Sequence, residues 1–317
     1  MPLDSRVKRF LDVLATGNPR STLDVTVDER RAALKELMNF RGQDAVVGTV
    51  QDRHIPGPGG ALAVRLYAPT PAPAAELLPG LVYFHGGGLV AGTLQTHDGI
   101  ARALANATGC CIASVDYRLA PEHPFPAAVD DALAAVRYLA THASEFGIDA
   151  LQLGICGDSA GGTLAAATAQ TLARAGGPSL AVQLLICPIL DYSRSSGSRR
   201  DLANGYLLDQ ATLDGDLLHY LPSGGDIDAS HPLVSPLCTP DLPRLPPTFI
   251  HTAEFDPLRD EARDYFERLT QSGSRVTYTC HPGMIHLFYG LGAVVPYARV
   301  AFEQMGTEVR QALAGRR

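Results

Sequence analysis

An α/β fold with a largely parallel sheet is predicted from three observations. Short apolar runs at 81–84, 110–115, 151–156, 182–187, 247–252 and 275–280 alternate with longer runs of helical periodicity at 98–108, 127–140, 160–175 and 257–271. Alternation of this kind specifies strands joined by helical crossovers. The run Leu81-Val82-Tyr83-Phe84 is continuously apolar, as a strand buried on both faces must be. Finally, glycine-rich segments follow the runs ending at Phe84 and Cys156, where an α/β sheet turns into its loops and helices.

The remaining elements follow in chain order. Residues 4–16 place Val7, Phe10, Leu11 and Leu14 at helical spacing, with Gly17 as a stop. Thr26 and Glu29 form a capping-box pattern that opens a second helix, with Leu34, Leu37 and Met38 on its apolar face and Gly42 at its end. Residues 45–50 and 61–67 alternate like paired strands across Pro56-Gly57-Pro58-Gly59-Gly60. A Pro/Ala-rich connector at 69–80 reads as an exposed loop, and a final helix is expected over 297–314. Roughly sixty residues separate the runs at 182–187 and 247–252, too many for a simple crossover. Within them Arg194 to Arg200 reads as loop, Asp209 to Leu221 as helix, and Pro232 to Pro247 as an extended rim. The expected organisation is a core of 44–190 and 226–317, with 1–43 and 191–225 joining in a helical lid.

Bulk properties bound the partners. The 317-residue chain is 46% hydrophobic and carries a formal charge of −7, which argues against nucleic acid or an anionic membrane surface as a partner. The N-terminal segment has Lys8 and Arg9 but no apolar export core after them, and no stretch approaches transmembrane length, so a cytoplasmic protein without stable membrane insertion is expected. The six cysteines lack metal-ligand spacing and read as buried thiols; adjacent Cys110 and Cys111 point to opposite faces of a strand.

Chemistry concentrates at strand ends. Gly157-Asp158-Ser159-Ala160-Gly161-Gly162 lies between a strand-like run and a helical run, a turn that lifts the Ser159 hydroxyl above the sheet. A serine nucleophile needs a base, an orienting carboxylate and donors for the developing oxyanion. His85-Gly86-Gly87-Gly88 offers the donors: the N–H groups of Gly86 and Gly87, with that of Ala160, in a loop where side chains would block approach. Asp256 follows the run at 247–252 and offers the acid, with Glu254 as competitor; Asp256-Pro257 also reads as a helix cap. His286, in an apolar loop after the last strand, offers the base, and His281 is its nearest rival. No zinc-protease spacing, phosphate loop or dinucleotide fingerprint is present, so no cofactor or metal is expected.

With the order Ser159, Asp256, His286, the chain resembles the hormone-sensitive-lipase-like (family IV) carboxylesterases of the α/β-hydrolase superfamily. The resemblance spans roughly residues 60 to 290. It is carried by Tyr83-Phe84-His85-Gly86-Gly87-Gly88, Asp116-Tyr117-Arg118-Leu119-Ala120-Pro121-Glu122, Gly157-Asp158-Ser159-Ala160-Gly161-Gly162, Asp256-Pro257-Leu258-Arg259-Asp260-Glu261 and Gly283-Met284-Ile285-His286. It implies an eight-stranded, mostly parallel sheet with a helical cap, and hydrolysis of short- to medium-chain acyl esters without a cofactor. It also implies that Asp158 ties the elbow to neighbouring loops, that His85 and Gly88 support the donor loop, that 116–126 buttresses it, and that a homodimer can form. Amide or lactone hydrolysis on the same residues, and a non-catalytic ligand-binding receptor of this fold, remain alternatives. Two departures stand out. Thr163 takes a position where the family often has Asn. The chain also has no tryptophan, so Leu213, Leu217, Leu218 and Tyr220 replace large rings in the cap, and a wider acyl pocket is expected.

Overall fold

The computed structural model describes residues 2–16, 25–71, 77–222 and 227–315. Eight strands form one sheet in the order β1-β2-β4-β3-β5-β6-β7-β8. They are β1 Thr49–Gly57, β2 Gly60–Ala68, β3 Leu78–Phe84, β4 Cys111–Val115, β5 Ile148–Asp158, β6 Gln183–Ile186, β7 Thr248–Phe255 and β8 Val276–Ile285. β1 pairs antiparallel with β2, and β2 with β4; every other pairing is parallel. The helices are α1 Ser5–Ala15, α2 Val27–Leu37, α3 Asp98–Thr108, α4 Ala127–Thr141, α5 Ala160–Ala175, α6 Gly197–Asp201, α7 Gln210–Tyr220, α8 Arg259–Gln271 and α9 Tyr297–Ala314.

Two apolar clusters lie on opposite faces of the sheet. One joins Val82, Phe84, Ile155 and Leu185 to α4, α5 and α8; the other joins Leu81, Tyr83, Cys156 and Ile186 to α3 and α9. Alternate residues of β3 and β5 thus serve both faces, as the strand period requires. Cys110 and Cys111 fall in different clusters, as expected. Cys156 and Cys187 are also buried, whereas Cys238 and Cys280 are only half-buried.

Several elements differ from expectation. β1 starts four residues after the predicted 45 and runs through the predicted loop, so that only Pro58-Gly59 separates the paired Gly57 and Gly60. It is an edge strand exposed at most positions, which leaves little hydrophobic alternation to read. Arg194 to Arg200 is not all loop: Ser196 accepts the N–H of Arg199 and opens α6. Arg199 is buried there, donating to Glu261 Oε2 at 2.8 Å. In α1, Val7 and Phe10 are buried but Leu14 is exposed. The Thr26–Glu29 capping box is present on α2, which tightens into a 3₁₀ turn before Gly42. The predicted stop at Gly17, part of the connector (72–76) and residues 223–225 of the insertion lie outside the described residues.

Candidate active site

Ser159 stands between β5 and α5 with φ 51° and ψ −122°, a conformation side chains rarely adopt. The turn is tight because its neighbours are glycine. A Cβ on Gly161 would meet Phe84 O at 2.0 Å, and one on Gly157 would meet Gly161 O at 2.1 Å. A Cβ on Gly162 would meet Pro188 Cβ at 2.6 Å and Gly157 O of β5 at 3.5 Å.

The strands bring three predicted side chains together. His286, one residue past β8, places Nε2 3.0 Å from Ser159 Oγ and Nδ1 2.8 Å from Asp256 Oδ2. The other oxygen of Asp256 accepts the N–H of Leu258 at 2.9 Å. Asp256 therefore braces the turn before α8 while facing the imidazole; it is not the cap residue itself, since α8 starts at Arg259. Its competitor Glu254 instead accepts the N–H of Gly283 at 2.7 Å, holding the segment that leads to His286. His281 lies elsewhere, with Nε2 3.0 Å from His251 Nδ1 and Nδ1 3.2 Å from Tyr297 Oη. Cys187, with φ 44°, is a neighbour the sequence did not single out. Its sulfur and ligand atoms of Asp256 and His286 lie within 4.8 Å of one another, though both latter residues are already bonded in the Ser159 chain. Burial first, and then the charge of Asp256, push the Cys187 thiol well above its usual range, so it stays protonated.

The 85–88 loop is held from beneath. Asp158, fully buried, accepts Tyr83 Oη at 2.5 Å and the N–H of Gly86 at 3.0 Å on Oδ1, and Tyr289 Oη at 3.0 Å on Oδ2. Burial raises its pKa, and the two tyrosine hydroxyls oppose that rise. The Gly86 N–H, expected to point at an oxyanion, is thus engaged with Asp158, because that buried carboxylate needs donors. The N–H groups of Gly87 and Gly88 have no protein acceptor among the described residues. That of Ala160 opens α5, where no intrahelical acceptor exists. His85 bonds Gly86 O through Nδ1 at 2.8 Å and stacks on Tyr117, whose hydroxyl donates to His85 O at 2.6 Å. Arg31 of α2 reaches the same region, donating to Val90 O, Ala120 O and Glu122.

A cavity of about 410 Å³ opens above Ser159. Gly86 to Gly88, Ile189, His286 and Leu287 form its floor; α2 contributes Arg30, Leu34 and Leu37, and the 207–216 segment contributes Leu207, Leu208, Leu213 and Asp216. Of the four residues expected to replace tryptophan, Leu213 lines the cavity. Tyr220 turns away onto Phe125, 5.8 Å between ring centres, and Leu218 is exposed. Arg30 and Asp216 were not anticipated: they sit 186 positions apart, and nothing local in the sequence pairs them. Among the described residues, no helix is long and apolar enough to cross a membrane.

An eight-stranded sheet with an elbow serine between β5 and α5, and a histidine and a carboxylate beyond later strands, defines an α/β hydrolase. Residues 81–290 match the corresponding α/β-hydrolase-fold family. The chain is 39% identical to Esterase LipI of Mycobacterium tuberculosis over 96% of this chain and 95% of that protein. It is 36% identical to an arylesterase of Saccharolobus solfataricus, covering 92% and 93% of the two chains. The solved ester hydrolase EH1AB1 from the metagenome of Lake Arreo superposes with a TM-score of 0.93 at 40% identity, covering 98% of this chain and 99% of that one. The chain belongs to the hormone-sensitive-lipase-like (family IV) carboxylesterases.

Proposed function

We propose that this protein hydrolyses short- to medium-chain carboxylic esters through a Ser159-His286-Asp256 triad and an acyl-enzyme. The observation that carries this reading is the unbroken chain Ser159 Oγ–His286 Nε2 at 3.0 Å and His286 Nδ1–Asp256 Oδ2 at 2.8 Å. His286 takes the Ser159 proton as Oγ attacks the ester carbonyl, and returns it to the departing alcohol. Asp256 holds the tautomer in which Nδ1 carries the proton and Nε2 accepts. Gly87 and Ala160 donate to the oxyanion, with Gly88 in place of Gly86, whose N–H positions the loop through Asp158. Water then repeats the sequence on the acyl-enzyme. The strained Ser159 backbone keeps Oγ in reach of both His286 and the donor loop.

Residues 1–43 and 191–225 act as the cap over this centre. Leu34, Leu37, Leu207, Leu208 and Leu213 supply an aliphatic wall suited to an acyl chain or a small alcohol group. A panel of p-nitrophenyl esters from acetate to palmitate tests the reading. Activity peaking at short to medium acyl chains and abolished by Ser159→Ala supports it. Turnover retained in Ser159→Ala, or an optimum at palmitate, overturns it.

A further inference from the structure

The cavity above Ser159 contains a carboxylate that ester hydrolysis does not call for. Asp216 of α7 is only 5% exposed. A Cβ built on Gly88 would stand 1.7 Å from its Oδ2, so the carboxylate lies directly against the backbone of the donor loop. Among the described residues, the hydrogen bonds to the Asp216 carboxylate come from Arg30 rather than from a loop N–H. A bare anion in this place opposes the negative charge that grows on the ester oxygen. Arg30 of α2 meets it in a two-pronged contact, Nε to Oδ1 at 3.1 Å and Nη2 to Oδ2 at 2.8 Å. The two side chains are 17% and 6% exposed, so water screens the pair little.

We propose that Arg30 is a positioning residue for the reaction, whose guanidinium neutralises Asp216 and so keeps the space between Gly88 and Ser159 favourable to a developing oxyanion. The proposal rests on the esterase reading given above. It also accounts for a fork rather than a single contact, since a planar guanidinium matches both carboxylate oxygens at once. A simple clamp between α2 and α7 would be served as well by an apolar pair.

The charged and titratable groups around Asp216 are Arg30 and Glu29 from α2, Tyr192, Asp209 and His219 at the start and end of its own helical segment, and His97, Asp158 and His286 across the cavity. All but Arg30 and Asp216 are unchanged across the test set: wild type, Arg30→Met, Asp216→Asn and the double variant, each assayed on p-nitrophenyl butyrate between about pH 6 and pH 9. Arg30→Met is expected to lose on the order of tenfold to a hundredfold in kcat at the alkaline end, with KM moved less. The loss shrinks as pH falls, because burial already raises the Asp216 pKa and removing Arg30 takes away the charge that opposes that rise. The double variant recovers to within about threefold of wild type and loses this extra pH dependence. Asp216→Asn alone stays within about threefold, and provides a reading even if Arg30→Met fails to fold. A double variant as slow as Arg30→Met at every pH makes the pair a clamp and overturns the proposal. So does an Arg30→Met enzyme as fast as wild type, or a tenfold loss in Asp216→Asn. A wild type silent on every ester overturns the esterase reading, and this proposal with it.

Discussion

The N–H of Gly86 donates to Asp158 Oδ1 at 3.0 Å, tying the donor loop to the residue immediately before Ser159. Any shift of one loop is therefore felt by the other. Two tyrosines, Tyr83 from β3 and Tyr289 from beyond β8, complete the shell of the same carboxylate. Ser159 and the 86–88 loop are thus held in register by one buried side chain.

Asp158→Ala orphans three buried donors at once. A buried donor left unsatisfied costs about 1–3 kcal/mol, so this variant should lose several kcal/mol of stability in denaturant titrations and most of its kcat. Asp158→Asn keeps an acceptor for Gly86 and Tyr83, and should retain more of both. Equal loss in the two variants would mean that charge, not the hydrogen bond to Gly86, is what the position supplies.

Ser159 is strained, and the strain is separable from the chemistry. Backbone in such regions costs about 1–3 kcal/mol, which glycine relieves, against roughly 0.5–1 kcal/mol of added chain entropy. Ser159→Gly should therefore be inactive yet more stable than wild type by about 1 kcal/mol. Chemical denaturation reads this directly, and Ser159→Ala, which keeps a Cβ, is the control that should gain nothing.

How much of this was legible depended on whether a constraint was local. The elbow was legible because close approach of Gly161 to Phe84 O leaves no room for a side chain, which writes glycine into the sequence. Asp256 was legible because it follows β7, a largely buried and so largely apolar strand. His286 was legible from the apolar Met284 and Ile285 just before it, since β8 is an edge strand only partly buried along most of its length. β1 was misplaced because an exposed edge strand has no such signature. α6 was missed because its buried Arg199 is satisfied by Glu261, 62 positions away. Arg30 and Asp216 escaped for the same reason. The engagement of Gly86 with Asp158 is invisible too, since a glycine loop looks alike whichever way its N–H groups point.

Asp256 and Glu254 offer a paired test of the acid assignment. Asp256→Asn leaves a group that favours the wrong imidazole tautomer, and a loss on the order of 10⁴ in kcat is expected. Glu254→Gln acts on the segment carrying His286, through the N–H of Gly283. It should cost less than about tenfold, since a neutral amide oxygen can still accept that N–H. Steady-state kinetics on one ester suffices, and reversal of the two effects would move the acid to Glu254.

Burial holds His85, His97 and His281 toward the neutral form, which contributes to how the fold responds to acid. Burial pushes His85 down to about 4, and His97 and His281 down to about 3, with a neighbouring histidine adding to the effect for His85 and His281. Unfolded, each binds a proton near its ordinary value of about 6.5. Between these limits the unfolded chain holds more protons than the fold, so stability rises with pH across the window and is lost as pH falls through it. The buried carboxylates of Asp158, Asp216 and Glu261, all raised chiefly by burial, act in the opposite sense. A single-site comparison separates the two trends. His281 is the suitable residue because it sits in the His251–His281–Tyr297 contact, away from Ser159. Denaturant titrations from about pH 7 to pH 4 should give wild type a steeper loss of stability than His281→Asn, whatever the offset between them. Parallel curves would mean that His281 takes up its proton alike in the folded and the unfolded chain.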